Sequence, residues 1–500
     1  MHCALRHILW GICCVILLNP VAIAQLRLPD TSARAPNLTI DPFESSRAKK
    51  TIRNSITLGQ PISNDDEEEE SESQNTETQD LDAETDVTQQ EDVAEEQEEG
   101  QEANKPHSNG SELPYSYTLF LDVDYVYKFS GGASSDPMGD DPDAVPPSSV
   151  TVGLLHFYGE FSTAKADWWD NGTFVLHMIY GEGESPTGTV GDLRSVSNID
   201  ASFMSDGQMV MPGLDILELW YEHAFPLSKS SMRFGIGYLS SDFYKSKYTG
   251  LFLTSGINSI GTEILWNTMA SNPPNTTIGL WYKSKLSENL YGQAVVFEGL
   301  PDHSTKVFDV KFDESEGAFF ATEFGWQEGI PKQEGYLKVG VGAWYLSQRI
   351  KNNMMIGIRN YPGDPIATRG YYTVIDKAFD NNIGMFFKGG IADNGINKYR
   401  HYFTTGLTYK GLIPSRPGDT AGIAVVQSKL SDNYIKFQGS DESGNITMYS
   451  EETIYEFTYS ISVNNWLMIQ PDIQYVMQPG MNPMNENALV GILRAEITLL

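Results

Sequence analysis

Apolar and polar residues alternate with a two-residue period near the end of the chain. Tyr455, Phe457 and Tyr459 share one face, and Glu456 and Thr458 lie on the other. A two-residue period predicts β-strands with one dry and one polar face. Two further strands are predicted at 467–475 and 489–499, and their polar faces include Asp472, Gln474, Arg494 and Glu496. Such strands fit a soluble sandwich or a transmembrane barrel that has lipid outside and water inside.

The same alternation begins at Pro114 and recurs along the chain. It predicts strands at 115–128, 150–161, 172–181, 214–225, 231–240, 276–284, 289–298, 316–327, 335–347, 370–377, 383–391, 400–411 and 419–429, before the three C-terminal ones. The total is about sixteen, and bacterial single-chain barrels have even strand numbers. Segments 258–266 and 304–312 are compatible with extra strands or with loop structure.

The predicted connections alternate in length. Short turns are predicted at 226–230, 285–288, 329–334 and 464–465, and long loops at 131–149, 181–213, 241–275 and 438–451. Outer-membrane barrels have short turns at one end and long loops at the other, and tyrosine near strand ends suits an aromatic girdle. We therefore predict an all-β fold, a transmembrane antiparallel β-barrel over residues 113–500.

The N-terminal residues divide into three segments. Residues 1–24 have a short polar start, an apolar run and an Ala-x-Ala site, which predict a cleaved secretory signal peptide that contains all 3 cysteines. Residues 25–64 are irregular and mildly basic. Residues 65–112 are an acidic low-complexity stretch that we expect to be a disordered spacer in the periplasm, because it has too little apolar surface to fold. The formal net charge of −32 argues against nucleic-acid binding.

Charged residues of both signs fall on the polar faces of the predicted strands. They either brace a wet wall by pairing with one another, or they line a constriction that binds a hydroxyl-bearing solute beside flat rings such as Trp220, Trp281 and Trp344. The candidate pore-lining residues are Glu218, Trp220, Glu222, Arg233, Glu323, Lys388, Arg400, Arg416, Glu456, Asp472, Gln474 and Arg494. Arg416 is also placed to form a structural pair with Asp419 near a turn.

Enzyme motifs are not found in the sequence, and the histidines share no metal-ligand spacing. We therefore assign no catalytic residue, no metal site and no cofactor.

Several motifs resemble the carbohydrate-selective porins of the OprB family. They are GLTYKGLIPSRPGD at 406–419, ETIYEFTY at 452–459 and IQPDIQYVMQPG at 469–480. LELWYE at 217–222 resembles a strand of the family with His223 in place of Gln, and Tyr371 to Lys377 resembles another with Lys377 in place of Gln. The resemblance extends over residues 113–500.

This resemblance implies a sixteen-stranded outer-membrane barrel that passes sugars passively into the periplasm of a Gram-negative-type bacterium. Family members line their constriction with arginines and carboxylates. The chain departs from the family at Lys388, where Arg is usual, in its acidic extension, and at Leu500, where an aromatic residue is usual.

The expected function is passive diffusion of neutral sugars, with no enzymatic step. The alternative is a general diffusion porin for small solutes. An outer-membrane lipase and an exported glycan-binding sandwich are further rivals. Expected partners are outer-membrane lipid and small saccharides, the chain being either a monomer or a homotrimer; the sequence leaves the periplasmic partner of the acidic segment open.

Overall fold

The structure is a computed structural model that describes residues 113–134, 146–200, 204–205, 208–209, 213–299, 317–347, 367–438 and 447–499. The three segments predicted within residues 1–112 lie outside these ranges, as does segment 304–312.

Strands account for most of the described residues. They are β1 (Tyr115–Gly132), β2 (Ser149–Ser162), β3 (Gly172–Gly183), β4 (Met204–Ser205), β5 (Gln208–Met209), β6 (Gly213–Phe225), β7 (Ser230–Gly237), β8 (Thr277–Lys285), β9 (Leu290–Glu298), β10 (Ala318–Glu328), β11 (Leu337–Leu346), β12 (Thr368–Ala378), β13 (Ile383–Ala392), β14 (Tyr399–Lys410), β15 (Thr420–Leu430), β16 (Glu451–Asn464), β17 (Leu467–Met477) and β18 (Glu486–Thr498).

All strands except the β4–β5 hairpin form one closed antiparallel barrel, in which each strand pairs with its neighbours along the chain. The first and last strands close it, with Asp122 opposite Glu496 and Asp124 opposite Arg494. The sixteen strands confirm the predicted fold class. Closure removes the free sheet edges that would otherwise leave backbone groups unpaired in lipid.

The alternation along each strand separates two environments. On β16, Tyr455 and Phe457 are 49% and 52% exposed on the outer surface, whereas Glu456 between them is 1% exposed. Outside, the aromatic and aliphatic side chains meet lipid, and inside, the polar ones meet the contents of the barrel. The side-chain period of two thus places opposite chemistries on the two faces of the same strand.

The two ends of the barrel differ in their connections. One end carries short connections, such as 226–229, 286–289, 379–382 and 465–466. The other end carries most of the long connections, including 184–212 and 238–276. The chain enters β1 and leaves β18 at the short-turn end, where the backbone N–H of Leu499 donates to the carbonyl of Leu119.

Helices are few and short. They are α1 (Pro186–Val190), α2 (Ser255–Asn258), α3 (Thr262–Thr268) and α4 (Asp432–Gln438), with 3₁₀ turns at Pro226–Ser228, Leu239–Ser241, Thr249–Leu251 and Pro479–Met481. Segment 258–266 therefore belongs to a loop with helical turns and is not an extra strand. In the described ranges, no helix has the length and apolar character needed to cross a membrane.

Candidate functional site

The connection between β7 and β8, residues 238–276, folds into the barrel, and we refer to it as the inner loop. Its side chains include Phe243, Phe252, Ile257, Ile260 and Ile264, all at most 1% exposed. They pack with inward-facing wall residues in one hydrophobic cluster. A loop with this much apolar surface is stable inside a barrel only if it packs against the wall. Otherwise its apolar side chains would remain in contact with water, which is unfavourable.

Polar side chains near its C-terminal end fix the inner loop to the strands around it. The hydroxyl of Ser271 donates to the carbonyl of Gly237 at 2.6 Å and accepts the backbone N–H of Thr277 at 2.8 Å. Ser271 therefore joins the end of β7 to the start of β8. Further along, Asn267 on α3 accepts the N–H of Tyr399 at 3.0 Å and donates to its carbonyl, which fixes α3 against β14.

A second segment, residues 184–200, also lies inside the barrel. Arg494 donates to both carboxylate oxygens of Asp124 at 2.7 Å and to the Asn198 side chain at 2.6 Å. Ser197 donates to the same Asp124 at 2.7 Å, and Gln474 donates to the Val196 carbonyl at 2.9 Å. These contacts fix the segment to the wall where β1 meets β18.

The wall of β6, β7 and β8 carries a charged group that we call the Arg233 cluster: Trp220, Glu222, Arg233, Asp242 and Lys283. The guanidinium of Arg233 donates to Glu222 and to Asp242, both at 2.8 Å, and lies 4.0 Å from the centre of the Trp220 ring. Lys283 pairs with the other oxygen of Asp242. Asp242 belongs to the inner loop, so the cluster joins that loop to the wall.

The cluster is not fully covered. The side chains of Glu222 and Lys283 are 20% and 18% exposed, and Trp220 is half-buried, whereas that of Asp242 is 1% exposed. Carboxylate, ammonium and indole groups are thus accessible beside one another on the wall. Such a surface can accept hydrogen bonds, donate them and stack on an apolar face.

The comparisons with known proteins agree with this architecture. Residues 151–499 match the carbohydrate-selective porin, OprB family. The chain belongs to the OprB family of carbohydrate-selective porins. It is therefore an outer-membrane β-barrel porin, as the resemblance had predicted.

Two similar proteins illustrate the relationship. Porin B of Pseudomonas aeruginosa is 24% identical over 255 residues, which are 45% of this chain and 55% of Porin B, so the chain spans about half the length of that relative. The high-pH structure of Pseudomonas putida OprB has a TM-score of 0.62 at 19% identity, covering 77% of this chain and 94% of that one. The likeness to that structure shows the fold.

Buried carboxyl groups of the inner loop have opposite ionisation tendencies. Burial opposes the charge on Asp242, but Arg233 and Lys283 outweigh it and hold the pKa of Asp242 below its usual value. At Glu263 the balance is reversed, and burial raises the pKa from 4.5 to about 8 although Arg194 and Lys388 oppose the rise. Of the two carboxyl groups in the inner loop, Asp242 thus has a lowered pKa because of its cationic partners, and Glu263 has a raised pKa because of burial.

The predicted pore-lining residues occupy three kinds of place in this porin. Trp220, Glu222 and Arg233 form one cluster, and Glu218 joins it by accepting the Trp220 N–H at 3.1 Å. A second set faces inward but is covered by the inserted segments; its members are Glu323, Lys388, Glu456, Asp472, Gln474 and Arg494, each at most 7% exposed. The rings of Trp281 and Trp344 are buried as well.

Arg400 and Arg416 are not brought together with the others. Arg400 lies at the start of β14 and pairs with Asp432 of α4 at 3.4 Å, at the end that carries the long loops. Arg416 lies in the turn before β15, where it donates to Asp419 and, at 3.1 Å, to the carbonyl of Ser462. The pairing of Arg416 with Asp419 is the structural pair that the sequence suggested.

Sequence reasoning missed the residues of the inner loop, and its candidates did not include Asp376 and Lys338 among the wall residues that bind the loop. Asp242 lies in the predicted connection 241–275, and Asp376 lies within the motif from Tyr371 to Lys377. One signal was available, because the connection at 241–275 contains an unusual share of aromatic and aliphatic residues. A long loop that is apolar is predicted to be buried.

Proposed function

We propose that this porin passes neutral saccharides by passive diffusion into the periplasm, and that the Arg233 cluster forms part of the wall they contact. The proposal carries no chemical step, so it requires no catalytic residue and no cofactor. It also places the acidic segment 65–112 in the periplasm.

The observation that carries the proposal is the chemistry of the accessible part of the cluster. A sugar ring presents hydroxyl groups around its edge and C–H groups on its faces. Glu222 and Lys283 offer an acceptor and a donor for hydroxyl groups, and the Trp220 ring offers a flat surface for a C–H face. Arg233 holds Glu222 and Trp220 in position by bonding the one and stacking on the other.

The charges of the cluster favour neutral solutes over ions. Arg233 and Lys283 pair with Glu222 and Asp242, so these four charges balance within a few ångströms. The neighbouring Glu218 has a partner of its own in His177, at 3.3 Å. A balanced wall gives little net attraction to an ion of either sign, while its local dipoles still bind hydroxyl groups. Selectivity would then depend on hydrogen bonding and stacking.

The test is the block of single-channel current in planar bilayers by glucose and by a disaccharide. Polyethylene glycol of matched size is the control solute, because it has no ring face and no hydroxyls along the chain. We expect the saccharides to reduce the current more than the polymer does. Equal reductions would instead support a general diffusion porin.

The Trp220→Ala variant tests the cluster itself. Loss of an aromatic contact of about 0.5–1.5 kcal/mol corresponds to roughly two- to tenfold weaker sugar block. Trp466→Ala is the matched control, because Trp466 is 54% exposed in the short turn between β16 and β17. Unchanged block in Trp220→Ala would contradict the assignment of the cluster.

A further inference from the structure

Charged wall residues bind the main chain of the inner loop. These bonds come in addition to the packing of the loop's apolar side chains. Five strands contribute such a residue, and the bonds extend along the loop from Tyr244 to Ser259. The wall side chains therefore bind backbone groups of the loop, and these bonds do not depend on which side chains the loop carries.

Three carboxylates accept the backbone N–H groups. Glu323 on β10 accepts from Tyr244 at 3.0 Å. Asp376 on β12 accepts from the N–H of Lys247 at 2.7 Å and from the Ser246 hydroxyl at 2.5 Å. Glu323 and Asp376 are both 0% exposed, so these bonds are shielded from water.

Glu456 on β16 holds the next part of the loop. Its two oxygens each accept one backbone N–H, from Leu253 at 2.5 Å and from Thr254 at 3.1 Å. The adjacent Gln474 accepts from the hydroxyl of Thr254 at 2.9 Å. Glu456 thus binds two consecutive backbone N–H groups of the loop, one with each carboxylate oxygen.

Two lysines donate to backbone carbonyls. Lys338 on β11 donates to the carbonyl of Lys245 at 2.9 Å. Lys388 on β13 donates to the carbonyls of Ile257 and Ser259, at 3.1 and 2.5 Å. The wall thus presents carboxylates where the loop turns its N–H groups outward and ammonium groups where it turns its carbonyls outward.

We infer that Glu323, Asp376, Glu456, Lys338 and Lys388 are positioning residues that hold the inner loop in one place and thereby set the width of the pore. They act on a solute only through the loop. The inference rests on the proposed function only in treating the space beside the inner loop as the path of the solute. It separates these buried charges from the accessible Arg233 cluster, although both sets face inward.

Energetics favour a single loop position. A hydrogen bond to a charged group stabilises more than one between neutral groups, and a buried backbone N–H left without a partner destabilises the folded state. The carboxylates also lie in a low-dielectric interior, which strengthens their bonds while these remain complete. Removal of one acceptor should therefore release the segment it holds.

The Glu456→Gln variant provides the sharpest test. Glutamine has the same shape, but its amide nitrogen is a donor and would face a backbone N–H of Leu253 or Thr254. Glu160→Gln is the matched control, because Glu160 is half-buried on the inward face of β2, and the described residues show no hydrogen bond from it to the inner loop. Both variants replace one inward-facing carboxyl group by an amide of the same size.

The measurement is single-channel conductance in salt alone, with heat-modifiable migration in detergent to show that the barrel is folded. We expect a higher and less steady conductance for Glu456→Gln and a conductance like that of the unaltered protein for Glu160→Gln. Lys388→Met is the second variant, since methionine keeps the length of the side chain but cannot donate to the carbonyls of Ile257 and Ser259. We expect it to raise conductance too.

Unchanged conductance in Glu456→Gln and Lys388→Met, with both barrels folded, would overturn the inference. Failure of Glu456→Gln to fold leaves the decision to Lys388→Met. Conductance in salt involves no sugar, so absence of sugar block in the unaltered protein would count against the proposed function alone. A purely stabilising role would lower the melting temperature and leave the conductance as it was.

Discussion

At the scale of single residues, burial distinguishes side chains that the sequence alone makes equivalent. Glu222, Glu323 and Glu456 all lie on polar faces of strands and all face inward. The side chain of Glu222 is 20% exposed, whereas Glu323 and Glu456 are at most 1% exposed and bonded to loop backbone. A partly exposed carboxylate such as Glu222 can contact a solute, whereas a buried carboxylate such as Glu456 can only position the inner loop.

Glu263 gives a prediction about pH. It lies on α3 of the inner loop, outside the membrane-spanning strands, with a pKa raised by burial from 4.5 to about 8. Between pH 4.5 and about pH 8, the Glu263 carboxyl is deprotonated in the unfolded chain and protonated in the folded protein. The unfolded state therefore binds fewer protons, and stability falls as pH rises through this window.

The Glu263→Gln variant should remove this contribution. We expect its melting temperature in detergent to fall less than that of the unaltered protein between pH 4.5 and pH 8, and to exceed it above pH 8. Comparison of the two slopes cancels the other titrating groups. Parallel curves would show that Glu263 does not titrate in this range.

At the scale of elements, the strands were predictable and the inner loop was not. A strand has a two-residue period that appears in any short stretch, and its pairing partner is the next strand along the chain. The contacts of the inner loop join distant positions, such as Leu253 and Glu456, which are 203 residues apart. No local pattern encodes such a pair, so the sequence predicted that Glu456 faces inward but not that it binds a loop.

Close approach of α3 to the wall gives a prediction about Gly390. A Cβ atom there would collide with the carboxylate of Glu263 and lie 2.9 Å from the hydroxyl of Tyr244. Gly390→Ala should therefore displace α3, at a cost of about 1–3 kcal/mol for overpacking. We expect a lower melting temperature and a changed single-channel conductance.

Gly250→Ala is the control for this substitution, because a Cβ at Gly250, in the same loop, meets nothing within 4 Å. Combination of Gly390→Ala with Glu263→Ala should restore much of the lost stability, since the colliding carboxylate is gone. If the double variant is as unstable as the sum of the single ones, the collision is not the cause.

At the scale of the whole molecule, the barrel is built from residues after 113. Its closing strand pair joins Tyr115–Gly132 to Glu486–Thr498, and the inserted segments 184–200 and 238–276 lie between them in the chain. Every side chain assigned here to the pore or to loop positioning belongs to this part. The sequence predicted this division from composition, because the alternation of apolar and polar residues starts at Pro114.

Deletion of residues 65–102 tests that division. The segment is acidic and without Lys or Arg, and the barrel strands begin after it in the sequence, at Tyr115. We expect the shortened porin to fold into a heat-modifiable barrel with the same conductance per channel and the same sugar block, at high and at low salt.

Low salt is the stricter condition, because charges act over about 30 Å at 0.01 M and about 3 Å at 1 M. A conductance that changes only at low salt would show that the segment acts on ions at the pore through its charge. A change at both salt concentrations would contradict the spacer role altogether.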